Sequence, residues 1–451
     1  NDMKRIFFAL FFLLITGATI FAQDMNLDQC IRYALENNLA YANKSIEAGI
    51  AGEQYRQSKR DFLPSLNAGS SANKRYGRSI DPTTNTFVNQ DFFSMNFYLD
   101  SQLDLFQGFS RLNTVKFQKL KYLISRENIK QQEMEIAFAV MNKYYDVLYF
   151  SNLQNIVQEQ VELTTLNLQK TEKLIEVGLK AESDLLEMKA QEATELHNLV
   201  LAQNQHDLAL LELRNLMNYP LDKELLIDTE EIPVSTDTLF SPNVIYAEAL
   251  KHMPGVQRAN LDVEASQKQL DIARGELSPR LSLGASIYTN YADSRKEHLN
   301  PNDPDNNAMR IIPFQDQWSQ NMAQSIFLSL QIPIFNKWNG LSRVKQARLE
   351  RLMAVNRQQE EQQSLYRLIN EDVQQLKSLQ NERNLLRAKK DALQEAYTIS
   401  EKKLEQGLIS VIEFYTAKNQ FAQAEADWIR TLLQLKVKEQ TIRLYMGEKI
   451  Y

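Results

Sequence analysis

Two periodicities alternate along the chain. Over most of its length apolar residues recur at three- and four-residue spacing, as in Ile136, Val140, Tyr144, Val147 and Leu148, which is the pattern of one buried helical stripe. Between Phe109 and Met217 there is no proline and a single glycine, Gly178, so no breaker interrupts helix there. Four short segments switch to period two. Phe93, Met95, Phe97, Leu99, Leu103 and Leu105 alternate with Ser94, Asn96, Tyr98, Asp100, Gln102 and Asp104; Leu281, Leu283, Ala285 and Ile287 alternate with Ser282, Gly284, Ser286 and Tyr288. Leu66, Ala68, Ser70 and Ala72 make a third row, and Ile326, Leu328, Leu330, Ile332 and Ile334 a fourth. Strands are therefore predicted at about residues 65–73, 93–106, 280–291 and 319–335. Pro64 and Pro279 end the helices that feed the first strand of each pair, because a residue before proline is pushed out of the helical region.

The strands fall in homologous pairs because the chain repeats itself. Phe106–Asn218 lies on Phe335–Gly447 at a constant offset of 229 residues, and Ala34–Pro64 lies on Ala249–Pro279 at an offset of 215. A repeat this long exceeds the period of solenoids and implies two equivalent halves. Each half reads helix, strand, loop, strand, helix, helix. The first half is assigned to residues 23–218 and the second to 243–451, with the proline-bearing stretch 219–242 as the linker. The polar connectors Asn73–Gln90 and Ala292–Trp318 separate the strands of each pair. From Phe106 to Gly178 and from Phe335 to Gly407 the spacing is equal, about 108 Å if helical throughout. The two shorter segments, Leu27–Asp61 and Gly178–Met217, together match it, with tight turns expected near Gly178 and Gly407.

Composition changes this picture in one place. Met3-Lys4-Arg5 followed by the apolar run Ile6–Ile15 and the small residues up to Ala22 has the order of an export signal, assigned to residues 1–22. The run is well short of the ~20 residues that span a bilayer as a helix. Net charge is -6, and removing Asp2, Lys4 and Arg5 makes it -7, which excludes a general nucleic-acid binder. The one cysteine, Cys30, cannot form an intramolecular disulfide and reads as a small packed helix residue.

Strands of this length that alternate apolar with polar suit a wall between lipid and water. Four cannot close by themselves, and open edges are forbidden in hydrocarbon, so copies of the chain must share a barrel: eight strands from a dimer, twelve from a trimer. Phe92, Phe106, Phe109, Tyr291, Trp318, Phe335 and Trp338 flank the strands where interfacial aromatic belts would lie.

With Ala34-Leu35-Glu36-Asn37-Asn38 opening the first helix, Leu63-Pro64-Ser65-Leu66 entering the first strand, Leu103-Asp104-Leu105-Phe106 leaving the second, and the paired turns Gly178-Leu179 and Gly407-Leu408, the chain resembles the TolC-like outer membrane efflux protein family over about Leu27 to Met446. The resemblance implies a mainly α protein with a small transmembrane β part. It implies a homotrimer whose twelve strands form one barrel in the outer membrane, continued by a long periplasmic α-helical barrel. It also implies a passive exit duct for efflux or secretion, docked to a periplasmic adaptor and served by an inner membrane pump of the RND or ABC class. No enzyme is expected: His197, His206, His252 and His298 lack ligand spacing, there is no phosphate loop, and no cofactor or metal is called for. A periplasmic coiled-coil scaffold or adaptor without a pore is the alternative, and a nutrient porin, which needs no long helical extension, a more distant third.

In that family acidic residues just beyond each turn ring the periplasmic entrance. The resemblance puts Asp184 and Glu413 at those positions, where charges repeated by symmetry set selectivity through their field. Both also suit the first turn of a helix, and Ser410-Val411-Ile412-Glu413 has the form of a capping box. A well-known member carries an arginine where this chain has Ile409 and a further acid where it has Thr416; Lys180, on the other hairpin, is the candidate to take the arginine's place. Gly178, Leu179, Lys180, Gly407, Leu408 and Ile409 form the turns, and Leu179, Leu408, Ile409, Val411 and Ile412 would leave an apolar tip for an adaptor hairpin.

Overall fold

The computed structural model describes residues 24–80, 85–89, 91–228, 241–299 and 309–449. The export signal and half of the linker, residues 229–240, lie outside them. In chain order the elements are α1 (Leu27–Asn37), α2 (Leu39–Arg60), β1 (Ser65–Arg75), β2 (Arg78–Ile80), β3 (Phe87–Asn89), β4 (Phe92–Gln107), α3 (Ser110–Glu176) and α4 (Glu182–Met217). The second half continues with α5 (Pro242–His252), α6 (Pro254–Gly275), β5 (Arg280–Ala292), β6 (Lys296–His298), β7 (Met309–Ile311), α7 (Phe314–Gln320), β8 (Ala323–Gln331), α8 (Asn339–Glu405) and α9 (Val411–Tyr445). α3 and α8 are each 67 residues long, about 100 Å of helix.

The single helix expected over Leu27–Asp61 is two. Asn38 leaves the helical region, and its side-chain oxygen accepts from the Ala40 and Tyr41 amides to start α2. At the same place in the second half Met253 is extended because Pro254 follows it. One break is thus kept twice by different local chemistry.

Two compact units form, and they do not follow the duplication. Ala48–Ser125 with Ala259–Gln358 make one; the remaining described residues make the other. The second unit holds the larger cores, and these are the same core twice. Cys30, Ile31 and Ala34 of α1 pack on Ile136, Val140, Tyr144 and Val147 of α3 and Leu213 of α4. Ile245 and Ala249 of α5 pack on Leu365, Ile369, Val373 and Leu376 of α8 and Ile442 of α9, each at the repeat offset. Burial pushes the Cys30 thiol up to about 12, so it is an inert apolar filler. The described start of the linker is docked: the Met25 amide donates to the Leu226 carbonyl, the Asp228 amide donates to the Met25 carbonyl, and Tyr144 donates to the Asp228 carbonyl.

The strand-bearing unit is a four-stranded antiparallel sheet in the order β1-β4-β5-β8. Its faces differ. Across strands, Leu99 pairs with Ile287, Leu103 with Leu283 and Leu283 with Leu328, while Asp100 pairs with Ser286, Asn96 with Asn290 and Ser282 with Ser329. One face is therefore apolar and the other polar. β1 and β8 each leave one edge unpaired, and every residue of β8 is exposed, Ile326 to 80%.

Several expectations change here. The strand expected over 319–335 is confined to Ala323–Gln331, with the seven-residue α7 before it, and each connector adds a small hairpin, β2–β3 and β6–β7. Phe92, expected in an interfacial belt, is buried at the start of β4. A bulge at Leu105 brings Phe106 opposite Leu281, on the apolar face. The corners from strand to helix are again duplicated: Gly108 and Phe109 have φ of 58° and 61°, Lys337 and Trp338 57° and 61°.

Candidate functional site

The site residues expected from the sequence sit on two helical hairpins, α3–α4 and α8–α9, which turn in the same way. Gly178, at φ +77°, donates to the Ile175 carbonyl and Leu179 to that of Leu174; Gly407, at φ +70°, donates to Leu404 and Leu408 to Lys403. This pair of bonds satisfies the last carbonyls of each helix and requires a left-handed residue, which glycine adopts without strain. An added Cβ would meet nothing within 4 Å at either glycine, so the requirement is conformational and not steric.

Beyond the turns the hairpins differ. Ser410 caps α9 through its hydroxyl, which accepts from the Glu413 amide at 3.2 Å, while the Glu413 carboxylate accepts from the Ser410 amide at 3.4 Å. The equivalent cap of α4 is Ala181, which has no acceptor, and the Asp184 carboxylate has no side-chain partner among the described residues. Glu413 is thus engaged as a cap, and Asp184, half-buried, is the less committed charge of the two.

The apolar residues also divide. Leu179 and Leu408 are 73% and 67% exposed, and Val177 and Ile412 stand out similarly. Val411, by contrast, is buried and so does not contribute to an apolar tip as expected, while Ile409, half-buried, packs against a small core of Leu168, Met188, Phe414 and Tyr415. Lys180 makes no ion pair among the described residues; the cross-hairpin pair is Lys170 with Glu405, 2.9 Å apart and exposed, where solvent screening leaves little energy.

A stronger link between the hairpins was missed. Lys418 of α9 is fully buried, and its ammonium donates to the Gln160 carbonyl (2.8 Å) and Thr164 hydroxyl (2.7 Å) of α3 and to the Glu195 carboxylate of α4 (3.5 Å). Gln191 also donates to Glu195, at 2.8 Å, and the Tyr415 ring centroid lies 5.0 Å from the ammonium. Desolvation pushes the Lys418 amine down to about 8, against the attraction of Glu195. The signal was present: Val411, Phe414, Tyr415 and Lys418 share one helical stripe, so a lysine occupies a core position.

Among the described residues no group of three His, Cys, Asp or Glu side chains is placed to hold a metal, and no helix is long and apolar enough to cross a membrane. A family model described as "Outer membrane efflux protein" matches residues 30–219 and 245–448, one stretch in each half. The chain is 22% identical over 445 residues to outer membrane protein TolC of Escherichia coli (strain K12), covering 96% of this chain and 86% of that protein. It is 24% identical to the alkaline protease secretion protein AprF of Pseudomonas aeruginosa, covering 96% and 88%. The solved structure of CusC, from work on folding and transmembrane channel formation, superposes with a TM-score of 0.78 at 16% identity, covering 95% of this chain and 94% of that one.

Proposed function

The chain belongs to the outer membrane efflux protein family and is an outer membrane exit duct for efflux or secretion, and we propose that three copies close the duct by pairing β8 of each with β1 of the next. The observation that carries this reading is the open sheet: one apolar face, one polar face and two unpaired edges, of which β8 is exposed throughout. Because β1 runs antiparallel to β4 and β5 antiparallel to both β4 and β8, a β8–β1 junction continues the antiparallel order all round. Two copies would give eight strands, whose interior is filled by side chains; twelve leave room for a water-filled lumen. The polar face, with Asn67, Asp100, Asn96 and Ser286, then lines the water and the apolar face meets lipid.

The duct is passive, and a periplasmic adaptor and an inner membrane transporter of the RND or ABC class supply selection and energy. Asp184 is the main charge of the periplasmic entrance, and Glu413 adds to the ring while capping α9. Leu179 and Leu408 form the apolar tips that receive the adaptor, with Gly178 and Gly407 fixing their position and Lys180 beside them. Residues 23–218 and 243–451 act as the two repeats around the linker 219–242. Native mass spectrometry of detergent-solubilised protein tests the assembly: a mass of three chains is expected, and a monomer or dimer would overturn it.

A further inference from the structure

The helix α7 lies on the apolar face of the sheet, not over the lumen. Its Phe314 ring centroid is 5.9 Å from that of Phe97 and 5.6 Å from that of Tyr291, and the Trp318 ring is 4.9 Å from Phe97. Phe97 and Tyr291 belong to the side-chain row that continues through Leu99 and Ile287 to Leu103 and Leu283. The helix is also fastened to the sheet. Pairing of β8 with β5 stops at Tyr288, and from there two side-chain amides of α7 and its C-cap take over the edge. Asn321 donates to the Asn290 carbonyl at 2.7 Å, and Gln317, fully buried, accepts from the Ala292 amide at 3.0 Å and donates to its carbonyl at 2.9 Å. Thr289 donates to the Trp318 carbonyl. Despite this anchorage Phe314, Trp318 and Met322 remain substantially exposed.

The opposite end of the sheet carries a second set of rings. Phe106 packs edge-on against Phe109 at 5.5 Å, and Phe335 against Trp338 at 5.3 Å, both with an interplanar angle of 86°. Phe109 and Trp338 each hold φ of 61°, a conformation that strains a non-glycine residue, and both rings are exposed. Along β5 the two sets are separated by the ten steps from Leu281 to Tyr291, about 33 Å of strand at ~3.3 Å per residue. Tilted by about 40°, that becomes about 25 Å, the height of the apolar band on outer membrane barrels.

We propose that α7 is an interfacial anchor whose Phe314, Trp318 and Met322 side dips into the outer headgroup boundary of the bilayer, the Phe106–Phe109 and Phe335–Trp338 pairs marking the inner one. The occupant is lipid because the ring cluster continues the face that the duct reading, on which this inference rests, gives to hydrocarbon. Rings with one polar atom favour that boundary.

Trp318, Trp338 and Trp428 are the only tryptophans, so single-tryptophan proteins are accessible by Trp→Phe changes. Trp318 alone (W338F/W428F) and Trp338 alone (W318F/W428F) are reconstituted into phosphatidylcholine vesicles brominated near the headgroup or near the bilayer centre. Both are expected to lose at least half their emission to the shallow bromines and distinctly less to the deep ones. Adding Gln317→Ala should free α7 and relieve the quenching of Trp318 while sparing Trp338. If Trp318 is quenched by aqueous acrylamide and not by lipid, the helix faces water; if neither reaches it, a neighbouring copy covers it. Either result overturns the anchor while quenching of Trp338 keeps the duct. Lipid quenching of neither tryptophan removes the duct reading as well.

Discussion

Changing Lys418 to methionine keeps the unbranched apolar stem and removes the ammonium at its end, which isolates the polar part of the link between the hairpins. Glu195 is left 4% exposed with only Gln191 donating to it, whereas the Gln160 carbonyl keeps a donor in the Thr164 hydroxyl at 2.8 Å. Removing one member of a buried ion pair costs about 3–5 kcal/mol, because a charge remains without compensation. At about 1.4 kcal/mol per decade, local opening should be favoured by about two to three and a half decades. Hydrogen exchange read by mass spectrometry on peptides covering 411–425 and 186–200 reports that opening, with peptides covering the Val140 and Ile369 cores as controls. Glu195→Gln should cost less than Lys418→Met, since the amide stays neutral beside Gln191 while the lysine keeps Gln160 and Thr164. The double variant Lys418→Met/Glu195→Gln should recover most of the protection, since no charge is then buried. Exchange within threefold of the parent in Lys418→Met, or a double variant as open as Lys418→Met, would refute the pair as a link.

The same lysine gives a pH signature. Its folded pKa is depressed to about 8 from 10.5, so between these values the unfolded chain binds more protons and stability rises with pH, on the order of 3 kcal/mol in all; thermal unfolding should show this rise in the parent relative to Lys418→Met, and a fall would contradict it. Gly178→Ala and Gly407→Ala should each cost about 1–2 kcal/mol from the left-handed backbone alone, since space is open around both, and exchange at the turns should read it. Gly178→Trp or Gly407→Trp should spare assembly and abolish efflux, which a drug-susceptibility assay beside a native mass measurement separates. Asp184→Ala should lower cation preference in planar bilayers more than Glu413→Ala, while Ser410→Ala should loosen the start of α9 by about 1 kcal/mol without altering selectivity.

The parts legible in the sequence were those written as a period or a repeat. Alternation at Phe93–Leu105 and Leu281–Ile287 is β4 and β5, and the offset of 229 residues recurs in the ring pairs Phe106–Phe109 and Phe335–Trp338 and in the paired cores. What stayed hidden is decided by single side chains or short range. The break at Asn38 falls inside a continuous helical pattern, whereas Pro254 marks the one at Met253, and α7 is too short for its Phe314–Trp318 spacing to register against the strand behind it. At the turns, glycine and the Ser410–Glu413 box could be read directly. That Val411 is buried and Ile409 half-buried while Leu408 and Ile412 stay exposed could not, because every residue from Leu408 to Ile412 except Ser410 is apolar and only packing separates inside from outside. By residue type Lys418 is an ordinary helical lysine, and only its place on the Val411, Phe414 and Tyr415 stripe marks it.

A shared, closed wall around water is the claim on which the rest depends, and conductance across a planar lipid bilayer tests it most directly. Purified oligomer added to one side should insert and produce discrete current steps of uniform size. Protein that binds the bilayer or remains in solution and never gives a step would contradict the account.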